Sequence, residues 1–96
     1  MSAQNLEYVD LRKYVEVRLF EDRPHIRGRR IPVAVIAYNA RTNQWGVAEL
    51  AYQFGLSEAE VLAALLYYAE HQEEIDRQEA EERVKVEAAK RLHDDN

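Results

Sequence analysis

Apolar and polar residues alternate from Tyr14 to Phe20, with Val15, Val17 and Leu19 on one side and Glu16 and Arg18 between them. A period of two predicts a half-buried strand. The next ten residues, Glu21 to Arg30, are polar and include Pro24 and Gly28, so they read as a turn or a short irregular second strand. Together they predict a small β-hairpin. The apolar run Ile31 to Tyr38 fits either a buried strand or a buried helix by period alone. Pro32 suits the first turn of a helix, and Ala34 and Ala37 are poor strand formers, which favours a helix from Pro32 to Asn39.

Arg41 to Gly46 is a loop by composition, and its lone Trp45 is expected to cap the core. A second helix follows from Val47 to Phe54, with Val47, Leu50, Ala51 and Phe54 at helical spacing and Gly55 in place as its left-handed terminator. Ser57-Glu58-Ala59-Glu60 has the Ser-x-x-Glu form of a capping box and starts a third helix. That helix carries Val61, Leu62, Ala64, Leu65, Leu66, Tyr68 and Ala69, an apolar surface wider than one stripe. Such width implies burial on more than one side, or a protein interface.

Beyond His71 the composition shifts to Glu, Gln, Lys, Arg and Ala, without Pro or Gly. This is a helix former with a sparse apolar set, Ile75, Val84, Val86, Ala88, Ala89 and Leu92, so it reads as a projecting helix or a tail that orders on a partner. The fold class predicted is mainly α. Residues 1–72 form a hairpin and a three-helix helix-turn-helix bundle, and residues 73–96 an acidic helical C-terminal extension.

Composition narrows the function. At 96 residues, 47% apolar and 32% charged, the chain fits one soluble domain. No apolar run reaches the roughly 18–20 residues of a membrane-spanning helix, and the N-terminus lacks the pattern of a secretion signal, so a cytoplasmic protein is expected. With no cysteine there is neither a disulfide nor a thiolate chemistry to consider. The net charge of −5 is unevenly divided. Residues 1–46 sum to +3 and residues 47–96 to −8, which suggests two surfaces with different partners.

The second and third predicted helices have helix-turn-helix spacing. Ala51 is the small contact, Gly55 makes the turn, and Leu50, Phe54, Leu56, Val61 and Ala64 face inward. Ser57 and Glu58 would then meet a DNA groove, although no Arg, Asn or Gln in that turn is available for bidentate base reading. The better phosphate grip is the loop around Gly28, with Arg23, His25, Arg27, Arg29 and Arg30. Catalytic residues, cofactors and metal ligands are not expected. Ser57 is assigned to a cap, the glutamates to solvated helix faces, and His25, His71 and His93 to scattered surface positions. Tyr67 and Tyr68 read as core and interface.

The stretch from Arg23 to Asp76 resembles the bacterial family catalogued as domain of unknown function 433. The resemblance is carried by Arg23 to Val33, by Glu49-Leu50-Ala51, by Leu56 to Val61, by Ala63-Ala64-Leu65 with Tyr67-Tyr68-Ala69, and by Glu73-Glu74-Ile75-Asp76. Gly28-Arg29-Arg30-Ile31-Pro32-Val33 is similar to the family's Gly-x-Arg-Ile-Pro-Val signature, its most specific element. A departure lies in the loop from Asn39 to Gly46, where Asn43-Gln44-Trp45 is longer and more aromatic. The resemblance implies a three-helix, homeodomain-like fold with a short hairpin, usually dimeric. It also implies an antitoxin encoded beside a PIN-type nuclease toxin.

These readings combine into one expectation. The protein is a non-enzymatic homodimer whose basic loop and helix-turn-helix approach operator DNA through Arg23, Arg27, Arg29, Arg30, Ser57 and Glu58. Its C-terminal helix holds a toxin protein through Ile75, Val84, Val86 and Leu92. The alternative is a structural or adaptor protein that uses the third helix and the acidic tail and never touches DNA.

Overall fold

A computed structural model describes residues 10–17 and 23–94, with side chains as far as Leu92. The chain enters through one 3-10 turn, Leu11–Lys13, capped by the Asp10 carboxylate, which accepts from the Arg12 backbone N–H. Strand β1, Val15–Glu16, then pairs antiparallel with β2, His25–Ile26, in the register Val15↔Ile26 and Glu16↔His25. Within the described part of the expected strand from Tyr14 to Phe20, Val15 and Glu16 are paired and Val17 is not. Val17 is 52% exposed, and the next position on β2 is Pro24, which has no N–H to continue the ladder. Arg18 to Asp22 lie outside the described residues.

On its other edge β2 meets the chain as it returns. Ile26 N donates to Ile31 O at 2.9 Å, His25 bridges Pro32, and the intervening turn passes through Gly28 at φ 77°. That left-handed geometry is nearly free of cost for glycine. Ile26 and Val33 carry this hairpin into the core, where both are fully buried.

Helix α1 spans Val33–Thr42, with Pro32 as its N-cap residue rather than its first turn. Pro32 offers no side-chain cap, and the Pro24 carbonyl supplies the missing acceptor by taking the Val33 N–H at 3.0 Å. The helix runs three residues past the expected end at Asn39. Asn39 does not break it because its side chain donates to the Val35 carbonyl and accepts from Asn43 Nδ2, which extends the hydrogen bonding by a turn. Gln44, at φ 55°, then reverses the chain.

Helices α2, Val47–Phe54, and α3, Glu58–Glu70, fall where the pattern predicts. α3 is the central element and packs against α1, α2 and both strands. The core is Ile26, Val33, Ile36, Leu50, Val61 and Ala64, with Trp45, Phe54 and Leu65 packed around it. The inward face read for the second and third helices is thus the buried one. Fully burying each aliphatic side chain contributes about 1.5–3 kcal/mol.

Helix α4, Gln72–Asp94, follows α3 after the single residue His71. His71 leaves helical geometry at φ −126°, and its ring stacks on Tyr67 with centroids 4.1 Å apart. Among the described residues the root of α4 is docked: Ile75 is 1% exposed and belongs to the core. Ile75 is therefore removed from the expected partner-binding set, because its side chain is already covered by its own protein. From Ala80 outward nearly every residue is exposed, and the molecule measures 65 × 28 × 23 Å.

Candidate functional site

The turn between α2 and α3 is built from three nested devices. Gly55 ends α2 at φ 66°, and the amides of Gly55 and Leu56 both donate to the Ala51 carbonyl. Ser57 then caps α3: its hydroxyl accepts from Glu60 N at 3.1 Å, while Glu60 Oε1 accepts from Ser57 N at 2.9 Å. The third device comes from the loop. Arg29 Nη1 donates to Gly55 O at 3.0 Å, and its Nη2 lies 3.9 Å from Glu60 Oε1.

Arg29 is thus a clamp on the turn between α2 and α3, and Arg23 and Arg27 are engaged elsewhere in the chain. Arg23 makes a two-pronged, part-buried pair with Glu79 of α4, at 2.8 and 3.1 Å. Arg27 Nε donates to Arg12 O at 2.9 Å, and its Nη1 lies 3.8 Å from Glu16 Oε2. Carboxylates from β1, α3 and α4 therefore face three of the four arginines assigned to DNA. Arg30 is exposed and has no polar partner among the described residues. Ser57 is engaged in its cap, and Glu58 is exposed on α3.

His25 differs from the expected surface histidine. It is 5% exposed, with Nδ1 3.2 Å from the Arg23 carbonyl and Nε2 facing Glu16 Oε1 at 3.7 Å, beyond hydrogen-bonding distance. Glu16 also accepts from Gly28 N at 3.4 Å, so one carboxylate gathers the hairpin's polar groups. Among the described residues no cluster of three His, Asp or Glu side chains is placed to hold a metal ion. None of the described helices is long and apolar enough to cross a membrane.

A cleft of 330 Å³ runs between α1, α3 and the root of α4, past Tyr38, Arg41, Tyr68, Asp76 and Arg83. Its polar groups largely satisfy one another. Tyr68 donates to Asp76 at 2.8 Å, and the Arg41 guanidinium sits 5.4 Å from the Tyr68 ring centre. Burial, with the Asp76 bond next, raises the Tyr68 phenol above its usual range against the opposing charge of Arg41. Burial and then the Glu74 carboxylate do the same for Tyr67.

Among the described residues, two exposed apolar surfaces lie on α3 and α4. One is the outer half of α4, where Val84, Val86 and Leu92 are exposed. The other is the outer face of α3, where Leu62 and Leu66 are 54% and 41% exposed. The apolar width of α3 was legible in sequence, but the carboxylates that face the loop arginines were not. Glu79 lies 56 residues from Arg23, and no local pattern links them.

A short hairpin held by Arg29 onto the turn between α2 and α3, with one long C-terminal helix, defines a small, mainly helical protein. The chain belongs to the family described as protein of unknown function DUF433, which it matches over residues 19–68. No curated protein and no solved structure matches it.

Proposed function

We propose that this chain works by holding another protein, as the cytoplasmic antitoxin of a toxin–antitoxin pair with a nuclease-like toxin, and that α4 is the toxin-binding element. The observation that carries this reading is the exposure of the outer half of α4. About 15 residues of helix, near the length at which an isolated helix is marginal in water, run past the core formed by the described residues. Val84, Ala88 and Leu92 follow one another at four-residue spacing along one face, while Val86 lies on the opposite side. Apolar groups on two sides suit a helix received into a groove.

Charge adds little net attraction at this end of the helix. Between Glu81 and Asp94 the four carboxylates are matched in number by Arg83, Lys85, Lys90 and Arg91. The anchors at Val84, Val86 and Leu92 therefore carry the contact in this reading. The working unit is a homodimer and no step of the function is catalytic.

Co-expression with the neighbouring open reading frame tests the proposal. A toxic neighbour that co-purifies, and is released by a chain ending at Glu82, supports it. A harmless neighbour that never binds overturns it. Ending at Glu82 keeps Ile75 and Glu79 in place, so loss of binding reports on the projecting half and not on the core.

Operator binding receives less support, since Arg23, Arg27 and Arg29 are each engaged within the chain. The observation that favours the second reading, an adaptor without DNA contact, is the charge of the helix-turn-helix pair. From Thr42 to Asp76 there is no Lys or Arg. Phosphate binding depends on such cations and weakens steeply with salt. A complex that resists salt, and survives Arg27→Ala, Arg29→Ala and Arg30→Ala, favours the adaptor.

A further inference from the structure

The exposed residues of α3 are Glu58, Ala59, Leu62, Leu66, Ala69 and Glu70. At 100° per residue they occupy one sector of the helix, with the two leucines at its middle and one carboxylate toward each end. Glu58, Leu62, Leu66 and Glu70 follow one another at four-residue steps, so the face runs about 18 Å from carboxylate to carboxylate. In a helix-turn-helix that reads DNA this is the face that would enter the groove. Here it holds apolar side chains and negative charge, and it lies in a stretch of chain without any Lys or Arg. Phosphate is repelled by that face, whereas a cationic partner is attracted.

We propose that this face of α3 docks a basic amphipathic helix of a partner protein, with aliphatic side chains against Leu62 and Leu66 and Lys or Arg side chains reaching Glu58 and Glu70. Charge complementarity selects the occupant. A second copy of the same face would bring Glu58 and Glu70 against like charges, and an acidic segment would meet the same repulsion. The inference concerns a surface separate from α4 and does not rest on the antitoxin reading.

The test uses the full chain, labelled for NMR, and two synthetic amphipathic helices of identical apolar pattern, one of Leu and Lys and the other of Leu and Glu. The Leu/Lys helix should shift the signals of Ala59, Leu62, Leu66 and Ala69, and the Leu/Glu helix should not. The double variant Leu62→Ser/Leu66→Ser should weaken binding by roughly tenfold or more. In Glu58→Gln/Glu70→Gln the loss should be about two- to fivefold per charge and should fade at high salt. The charge-reversed variant Glu58→Lys/Glu70→Lys should prefer the Leu/Glu helix, an outcome that a general attraction of Lys to an acidic protein does not produce. A chain ending at Glu82 should bind the Leu/Lys helix as well as the full chain does, which separates failure here from failure of the α4 reading. The inference is overturned if shifts spread instead over the carboxylates of the α4 root. It is equally overturned if random duplex DNA shifts α3, or if dilution alone moves Leu62 and Leu66, which would assign the face to a second copy.

Discussion

Arg23 and Glu79 form a two-pronged ion pair, Nε to Oε2 at 2.8 Å and Nη2 to Oε1 at 3.1 Å, that ties the loop before β2 to the root of α4. Both side chains are about one-third exposed or less, 34% and 27%, so solvent screens the pair only in part. Two-pronged guanidinium–carboxylate geometry is the strong form of this contact. Arg23→Ala or Glu79→Ala should lower stability by about 1–2 kcal/mol, discounted for the residual exposure. Hydrogen exchange should quicken first in α4. The swap Arg23→Glu/Glu79→Arg should recover part of the loss in a urea titration, and no recovery would mean that packing rather than charge holds the helix.

The two halves of α4 should respond oppositely to truncation of their apolar side chains. Ile75→Ala removes a side chain that is 1% exposed, and should cost about 2–5 kcal/mol. Val84→Ala and Leu92→Ala, at exposed positions, should stay within about 0.5 kcal/mol while weakening partner binding. Thermal melts of the isolated protein set beside pull-down of the co-expressed neighbour measure both effects.

Between adjacent arginines the contrast should be equally sharp. Arg29→Ala removes the donor to the Gly55 carbonyl and should destabilise by about 1 kcal/mol, while Arg30→Ala should be neutral for folding. Ser57→Ala breaks the capping box, with an expected loss of about 0.5–2 kcal/mol. Any change in DNA affinity caused by Arg30→Ala alone, at unchanged stability, would mark Arg30 as a phosphate contact.

Gly55→Ala isolates backbone strain, because a Cβ there meets nothing within 4 Å and the only penalty is the left-handed φ of 66°. The expected cost is about 1 kcal/mol. Denaturation midpoints for Gly55→Ala and Gly55→Asn should separate, with Asn closer to the native protein, since it enters this region more readily.

High pH should loosen the seam between α3 and α4. Burial and the Asp76 hydrogen bond raise the Tyr68 phenol in the folded state, above an unfolded value of about 10. The proton is therefore held more tightly by the folded protein. Its contribution to stability is fully present below about pH 10 and is lost as pH rises through the folded value. Tyr68→Phe should remove that part of the alkaline loss, together with the Asp76 bond, and the alkaline slope of a stability curve for the two proteins checks it. Tyr67, raised by burial and Glu74, supplies an alkaline slope of its own that persists in the variant.

Local chemistry made much of this fold readable before any coordinates. Gly55, Ser57 and Glu60 specify the end of α2 and the start of α3 by short-range hydrogen bonds, and both boundaries fall where the pattern puts them. Helical spacing of Leu50 with Phe54 and of Val61 with Ala64 marked the inward faces for the same reason. The strand was overestimated because alternation reports side-chain direction and not whether a partner strand is long enough to pair. With β2 only two residues long and Pro24 ahead of it, the ladder stops.

The basic loop shows the limit of the pattern most clearly. Arg23, Arg27 and Arg29 stand in sequence as an unbalanced positive run, and that run suggested phosphate. Their partners Glu79, Glu16 and Glu60 belong to three different elements: Glu16 is brought to the loop by pairing of the hairpin, and Glu60 and Glu79 only when α3 and α4 pack. Ile75 was read as a tail residue because its neighbours are polar, yet the turn at His71 folds it back onto the core. By itself the sequence determined α2 and α3, the caps at the turn between them and their spacing, since these depend on contacts within a few residues. Which charges are engaged, which apolar residues are covered and which surfaces stay open was decided by tertiary structure alone, because each depends on groups far apart in the chain meeting in space.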